Sequence, residues 1–197
     1  MNSWIRLALG ALIVVAMTCG GTASAHTAAP PQAIRHLTVT VYDYTGVDAK
    51  TLAYARDVAS EVYRRAGIEI EWAEPDGYTD ATRLYVNVLS TDMITPLWIS
   101  KDTVGFATPG SLAATAIYDR IHALAHERRV PCGVLLGYVI AHEVGHLLLP
   151  AHSHSDSGVM MASLNMEQAS ERKLRFTNDQ AALMLERMTA SPAVSTH

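Results

Sequence analysis

Leu37, Val39 and Val41 alternate with Thr38, Thr40 and Tyr42, the two-residue period of a strand with one buried face. Gly46 ends that run. Asp48 is placed to cap a helix whose apolar positions recur from Lys50 to Ala66, and Gly67 stands where a helix-ending glycine belongs. Ile68 to Trp72 reads as a second strand and Glu74-Pro75-Asp76-Gly77 as a turn. Leu84, Val86 and Val88 mark a third strand. Residues 91–111 carry Pro96, Gly105, Pro109 and Gly110 and are expected to be irregular, apart from a short strand at Val104 to Ala107. Leu112 to Tyr118 is an Ala-rich fourth strand, after which Asp119 is expected to cap a short helix ending at Arg128. Pro131 breaks that helix. Val134 to Leu149 is an almost wholly apolar, helix-compatible run closed by Pro150, and Asp179 to Met188 forms a last helix opened by Thr177 or Asn178. Strands and one helix followed by helices predict an α+β fold: a small mixed sheet, a long helix, an apolar helix with embedded polar residues, and a C-terminal helix.

Composition changes this picture at the two ends. The chain has 197 residues, which suits one domain, and 49% hydrophobic residues, ample for a core. Part of that fraction lies in Leu7 to Met17, an apolar stretch behind Arg6 and ahead of Ala23-Ser24-Ala25. That stretch is too short to span a bilayer and has the layout of a secretory signal peptide cleaved after Ala25. The residues before Cys19, Ala16-Met17-Thr18, fit a lipoprotein signal poorly. The expected organisation is therefore a signal peptide at 1–25, a loose Pro- and Ala-rich leader at 26–33, one folded domain at 34–190 and a flexible tail at 191–197. The expected mature protein is secreted or periplasmic and has no membrane anchor. A formal charge of −4 with no basic block argues against nucleic acid as a partner. Cleavage would leave Cys132 without a disulfide partner, as a small, partly buried residue at a helix start, a free thiol or an inhibitory metal ligand. Oligomeric state has no signature in the sequence.

The chemistry is concentrated in His142-Glu143-Val144-Gly145-His146. Residues four apart share a helix face, so two imidazoles in H-E-x-x-H can hold one zinc ion, and the glutamate one step round can reach a water on it. A catalytic zinc takes three protein ligands and leaves a position open. His152, six residues after His146, fits the spacing H-E-x-x-H-x-x-G-x-x-H, and Met160 downstream would be the methionine of the turn beneath the metal. Yet Leu149 occupies the glycine position, and Pro150 restricts it to extended backbone, so the usual left-handed turn off the helix is blocked there. A longer excursion would deliver His154 instead. Glu143, flanked by Ala141 and Val144, would be a costly buried carboxylate without a metal nearby. Tyr138, one turn before His142, could pack near the metal, and Tyr118 and Asp119 could line the cleft. His36, His122 and His126 have no ligand spacing to the motif and read as structural or surface residues.

HEVGHLLL at 142–149 and HSDSGVM at 154–160 resemble a family of secreted bacterial, metzincin-like zinc peptidases with H-E-x-G-H-L-L-L followed by H-S-x-x-G-[IV]-M. YDRI at 118–121, GFA at 105–107 and the early VTVYDYTGV are also similar, so the resemblance covers most of the mature chain. It implies a zincin-like fold, a Zn2+ cofactor, and ligands His142, His146 and His154, with His152 as the alternative that spacing favours.

Together these features predict a secreted zinc metallopeptidase acting on peptides or proteins. Zinc would activate a water, Glu143 would be its general base, and the substrate would lie extended along an edge strand within 104–118. The alternative is a secreted zinc-binding or interaction module with a structural metal, for which Glu143 would have no use.

Overall fold

The computed structural model describes residues 34–75, 83–108 and 111–190. The expected signal peptide, leader and tail lie outside them, as do Asp76 and Gly77 of the expected turn and the Pro109-Gly110 pair.

The chain runs through β1 (Arg35–Asp43), α1 (Ala49–Arg64), β2 (Ile68–Ala73) and β3 (Arg83–Leu89). A short helix α2 (Thr91–Ile94) then passes into a 3-10 turn (Thr95–Leu97). After these come β4 (Gly105–Ala107), β5 (Ala113–Ile117), α3 (Tyr118–Arg128), α4 (Cys132–Leu148), α5 (Met166–Ser170) and α6 (Asn178–Ala190). The strands form one mixed sheet in the order β2-β1-β3-β5-β4. β1 is parallel to both β2 and β3, β5 is parallel to β3, and β4 alone runs antiparallel, on β5. β4 is therefore an edge strand.

The expected elements form with small shifts of boundary, and each has a local cause. Asp48 does cap α1: its carboxylate accepts the Thr51 N–H at 3.0 Å. Gly67 takes the positive φ, +80°, that turns the chain from α1 into β2. Three features depart from expectation. Residues 91–97 are helical rather than irregular, and α5 forms within a stretch where no helix was expected. Asp119 does not cap α3. It lies inside the first turn and accepts the Thr91 N–H at 2.8 Å, tying the start of α2 to α3.

One core joins the layers. Leu37, Val39 and Val41 of β1 and Val86 and Val88 of β3 cluster with Ala55, Val58 and Val62 of α1 and with Leu136, Ile140 and Val144 of α4. The α1–α4 crossing is close because of two glycines one turn apart. A Cβ on Gly137 would stand 2.6 Å from the Ala55 carbonyl oxygen, and one on Gly133 would stand 2.9 Å from that of Thr51. Further along the same crossing, the buried Tyr63 hydroxyl donates to the Ala141 carbonyl at 3.0 Å. These contacts fix α4 against the sheet, and α4 carries the polar residues of the H-E-x-x-H segment.

Candidate metal centre

His142, Glu143 and His146 project from the last two turns of α4, and His154 reaches them from the loop that follows. One ligand nitrogen from each of the three histidines lies within 4.8 Å of the others. His146 Nε2 stands 3.0 Å from His142 Nε2 and 3.1 Å from His154 Nε2. Four-coordinate zinc with nitrogens at about 2.0–2.1 Å holds them roughly 3.3 Å apart, so the donor set has the size of the ion.

The protons agree with this. His142 Nδ1 is 2.8 Å from the Val159 carbonyl oxygen, which can only accept, so Nδ1 carries the proton and Nε2 is left as a bare lone pair. His146 Nδ1 meets Ser153 Oγ at 3.1 Å, a hydroxyl that can accept an Nδ1 proton and so suits a ring that ligates through Nε2. Lone pairs that close repel one another unless a cation lies between them. Burial drives the imidazoles the same way. It lowers the His142 pKa, and with the neighbouring His142 and His154 it pushes His146 down to about 4, so both are neutral and ready to ligate at pH 7.

The loop explains which histidine arrives. Leu149 leaves α4 in extended backbone, φ −95° and ψ 162°, as the following proline requires. The left-handed corner falls instead on His152, φ 61°. Histidine is one of the few non-glycine residues that accept this conformation with some frequency. His152 is therefore the exposed corner of the turn, and His154, two residues on, meets the pair. Met160 is fully buried, and a Cβ on Gly145 would stand 2.7 Å from its sulfur, so this methionine packs beneath the histidines against α4. Gly158, φ +81°, lets the Arg175 carbonyl pass so close that a Cβ would lie 2.2 Å from it.

Glu143 is 6% exposed. Burial pushes its carboxyl up to about 8. It faces β4, where Gly105 leaves it room: a Cβ there would be 2.7 Å from Glu143 Oε1. Both line a cleft of about 960 Å³ that runs along α4 between β4 on one side and Met161, Leu164 and Met166 on the other.

Other expected contributors lie elsewhere. Tyr138 does not pack at the histidines; its hydroxyl sits by the Leu174 backbone. Tyr118 and Asp119 are outside the cleft lining: Tyr118 bonds Cys132, and Asp119 holds Thr91. Cys132 is the first residue of α4, at the far end from His142, where it is half-buried and not a metal ligand. His36 pairs with Glu71 at 3.3 Å on the surface. The parts played by Ser153 and Gly105 are not legible in the sequence. Serine beside histidine and glycine in a strand are too common to stand out without the fold.

No family model matches the chain, and no curated protein matches it by sequence. Solved structures do resemble it. A zinc-dependent peptidase from Methanocorpusculum labreanum aligns over 75% of this chain and 99% of its own, at 12% identity and a TM-score of 0.51. An archaemetzincin from Methanopyrus kandleri aligns over 81% of this chain and 98% of its own, at 17% identity and a TM-score of 0.46. The first of these likenesses shows a shared fold, a mixed α/β domain.

Proposed function

We propose that this protein is a secreted zinc-dependent peptidase, with His142, His146 and His154 holding the metal and Glu143 as the general base. The observation that carries this reading is the convergence of three imidazole nitrogens beside a buried carboxyl in an open cleft. A structural zinc site is closed and needs no such carboxyl, so Glu143 favours catalysis over the binding-module alternative. The peptidase named among the similar structures supports the same class.

Bound zinc would supply a Lewis acid that acidifies water and polarises a carbonyl. The chain's own residues supply the rest. The Val159 carbonyl and the Ser153 hydroxyl hold the rings of His142 and His146 at Nδ1, fixing where the Nε2 nitrogens point. Glu143 accepts a proton at its carboxylate and releases it to the leaving amine; a cation nearby offsets the burial that otherwise keeps the group protonated. β4 ends the sheet, so an extended peptide can add along it and pass over Gly105 and Glu143. The walls offered by Met161, Leu164 and Met166 suit apolar side chains.

Glu143→Gln is the test. Cleavage of an unfolded protein such as casein should fall at least about a hundredfold, with zinc content unchanged. A wild type that binds zinc, is unfolded by its removal and cleaves nothing in a broad peptide screen would instead make the metal structural.

A further inference from the structure

Gln180 lies in the first turn of α6, away from the cleft lining, yet its side chain reaches the metal loop. Its Nε2 donates to the Ser153 carbonyl at 3.2 Å and to Ser155 Oγ at 3.1 Å, the residues on either side of His154. Its Oε1 accepts the Thr177 N–H at 3.0 Å. Only one orientation of the amide satisfies all three contacts, because a reversed amide would set oxygen against the Ser153 carbonyl and nitrogen against an N–H. Ser155 is held further: its N–H donates to the Met160 carbonyl at 3.0 Å and its hydroxyl to that of Ser157 at 2.8 Å. Ser153 in turn faces His146 Nδ1.

Resting on the zinc reading above, we infer that Gln180 is a positioning residue for the metal: one amide, anchored on the cap of α6, sets the third ligand His154 through the residues on either side of it, and His146 through Ser153. The third ligand needs such a device here. The loop leaves α4 through an extended Leu149-Pro150 and a left-handed His152, so nothing in the helix itself dictates where His154 arrives. The segment ahead of α6 contributes at a second point, since the Arg175 carbonyl accepts the N–H of Val159, whose own carbonyl orients His142. All three ligands are thereby referenced to residues 175–180.

The amide has two duties, and one substitution separates them. Gln180 and Thr177 form a reciprocal cap, with the Gln180 N–H donating back to Thr177 Oγ1 at 3.2 Å. Glutamate serves that cap as well as glutamine does. Gln180→Glu therefore keeps the helix start but loses both donors to the loop, whereas Gln180→Ala loses cap and clamp together. Zinc affinity of the full chain is measured by chelator competition, alongside the thermal midpoint of the metal-free protein and the visible spectrum of the cobalt-loaded form. Gln180→Glu is expected to leave the metal-free midpoint near wild type, weaken zinc by about 10–100-fold and alter the cobalt bands. The added negative charge would by itself favour a cation, so the measured loss is a lower bound. Wild-type affinity and an unchanged cobalt spectrum in Gln180→Glu would overturn the inference and leave the residue a helix cap. A wild type that binds no zinc would overturn the underlying metal reading first, and is seen in the same titration.

Discussion

α4 has two buried faces, and they are buried for opposite reasons. On one, Gly133 and Gly137 bring the helix so near α1 that a single methyl group would meet backbone oxygen at 2.9 and 2.6 Å. On the other, His142, Glu143 and His146 turn nitrogen and oxygen into a cleft where the protein supplies their ring orientation but little to neutralise them. The first face is complete without any ligand, because volume alone satisfies it. The second gathers ring nitrogens and a desolvated carboxyl that a bound cation would satisfy. A helix held rigidly on its back can afford polar residues on its front, which is how a site with several desolvated groups persists in a fold of this size.

The contrast is tested most severely at the loop that completes the second face. His154→Ala should abolish stoichiometric zinc binding, a larger loss than the roughly 10–100-fold typical of a residue that only supports a ligand. His152→Ala, at the exposed corner, should retain one zinc per chain. Metal analysis after dialysis decides between them, and the reverse result would return the site to the shorter spacing that H-E-x-x-H-x-x-G-x-x-H prescribes.

A methyl group placed on each face in turn should then separate stability from turnover. Gly137→Ala meets the Ala55 backbone oxygen and the branched Val58, neither of which can swing aside. It is expected to cost about 1–3 kcal/mol in a urea titration and to leave zinc stoichiometry intact. Gly105→Ala meets the Glu143 carboxyl at 2.7 Å from an edge strand that can shift. It should cost about 1 kcal/mol or less but lower turnover roughly tenfold or more, since small displacements of a catalytic group are expensive. Equal stability losses with unchanged turnover would show that β4 does not set the carboxyl.

The two faces were unequally legible in the sequence. H-E-x-x-H announces itself because helical geometry turns a four-residue spacing into a shared face, and Leu149-Pro150 was enough to show that the usual exit was barred. That a longer excursion would deliver His154 could be read there too, but how the loop is held was not legible, since it depends on His152 accepting a left-handed corner and on Gln180 reaching back from α6. The T-x-x-Q spacing of Thr177 and Gln180 marks a helix cap, but nothing local shows the amide's second duty. The alternating runs gave β1 to β3 because one face of each is buried. α2 and α5 escaped because they are single turns held by tertiary contacts such as Asp119 to Thr91, not by periodicity. Asp119 misled for the same reason: an aspartate before an apolar run looks like a cap whether it serves its own helix or another.

The pH dependence of the metal-free protein isolates the second face. In the fold His146 sits at about 4, below its ordinary 6.5, so between those values the unfolded chain holds the extra proton and stability falls as the pH drops. Glu143 sits at about 8, above its ordinary 4.5, so between those values the folded chain holds the extra proton and stability falls as the pH rises. The two slopes oppose one another between 4.5 and 6.5, and above 6.5 only that of Glu143 remains. The thermal midpoint of chelator-treated protein should therefore decline from pH 6.5 to 8, by roughly 2–4 °C for each kcal/mol lost. Glu143→Gln should remove that decline, since the amide does not titrate. Zinc should flatten it in the wild type, because a cation beside the carboxyl favours the ionised form in the fold as well. A wild type that declines equally with and without zinc would mean that the carboxyl does not face the metal, and the second face of α4 would lose its catalytic reading while keeping its ligands.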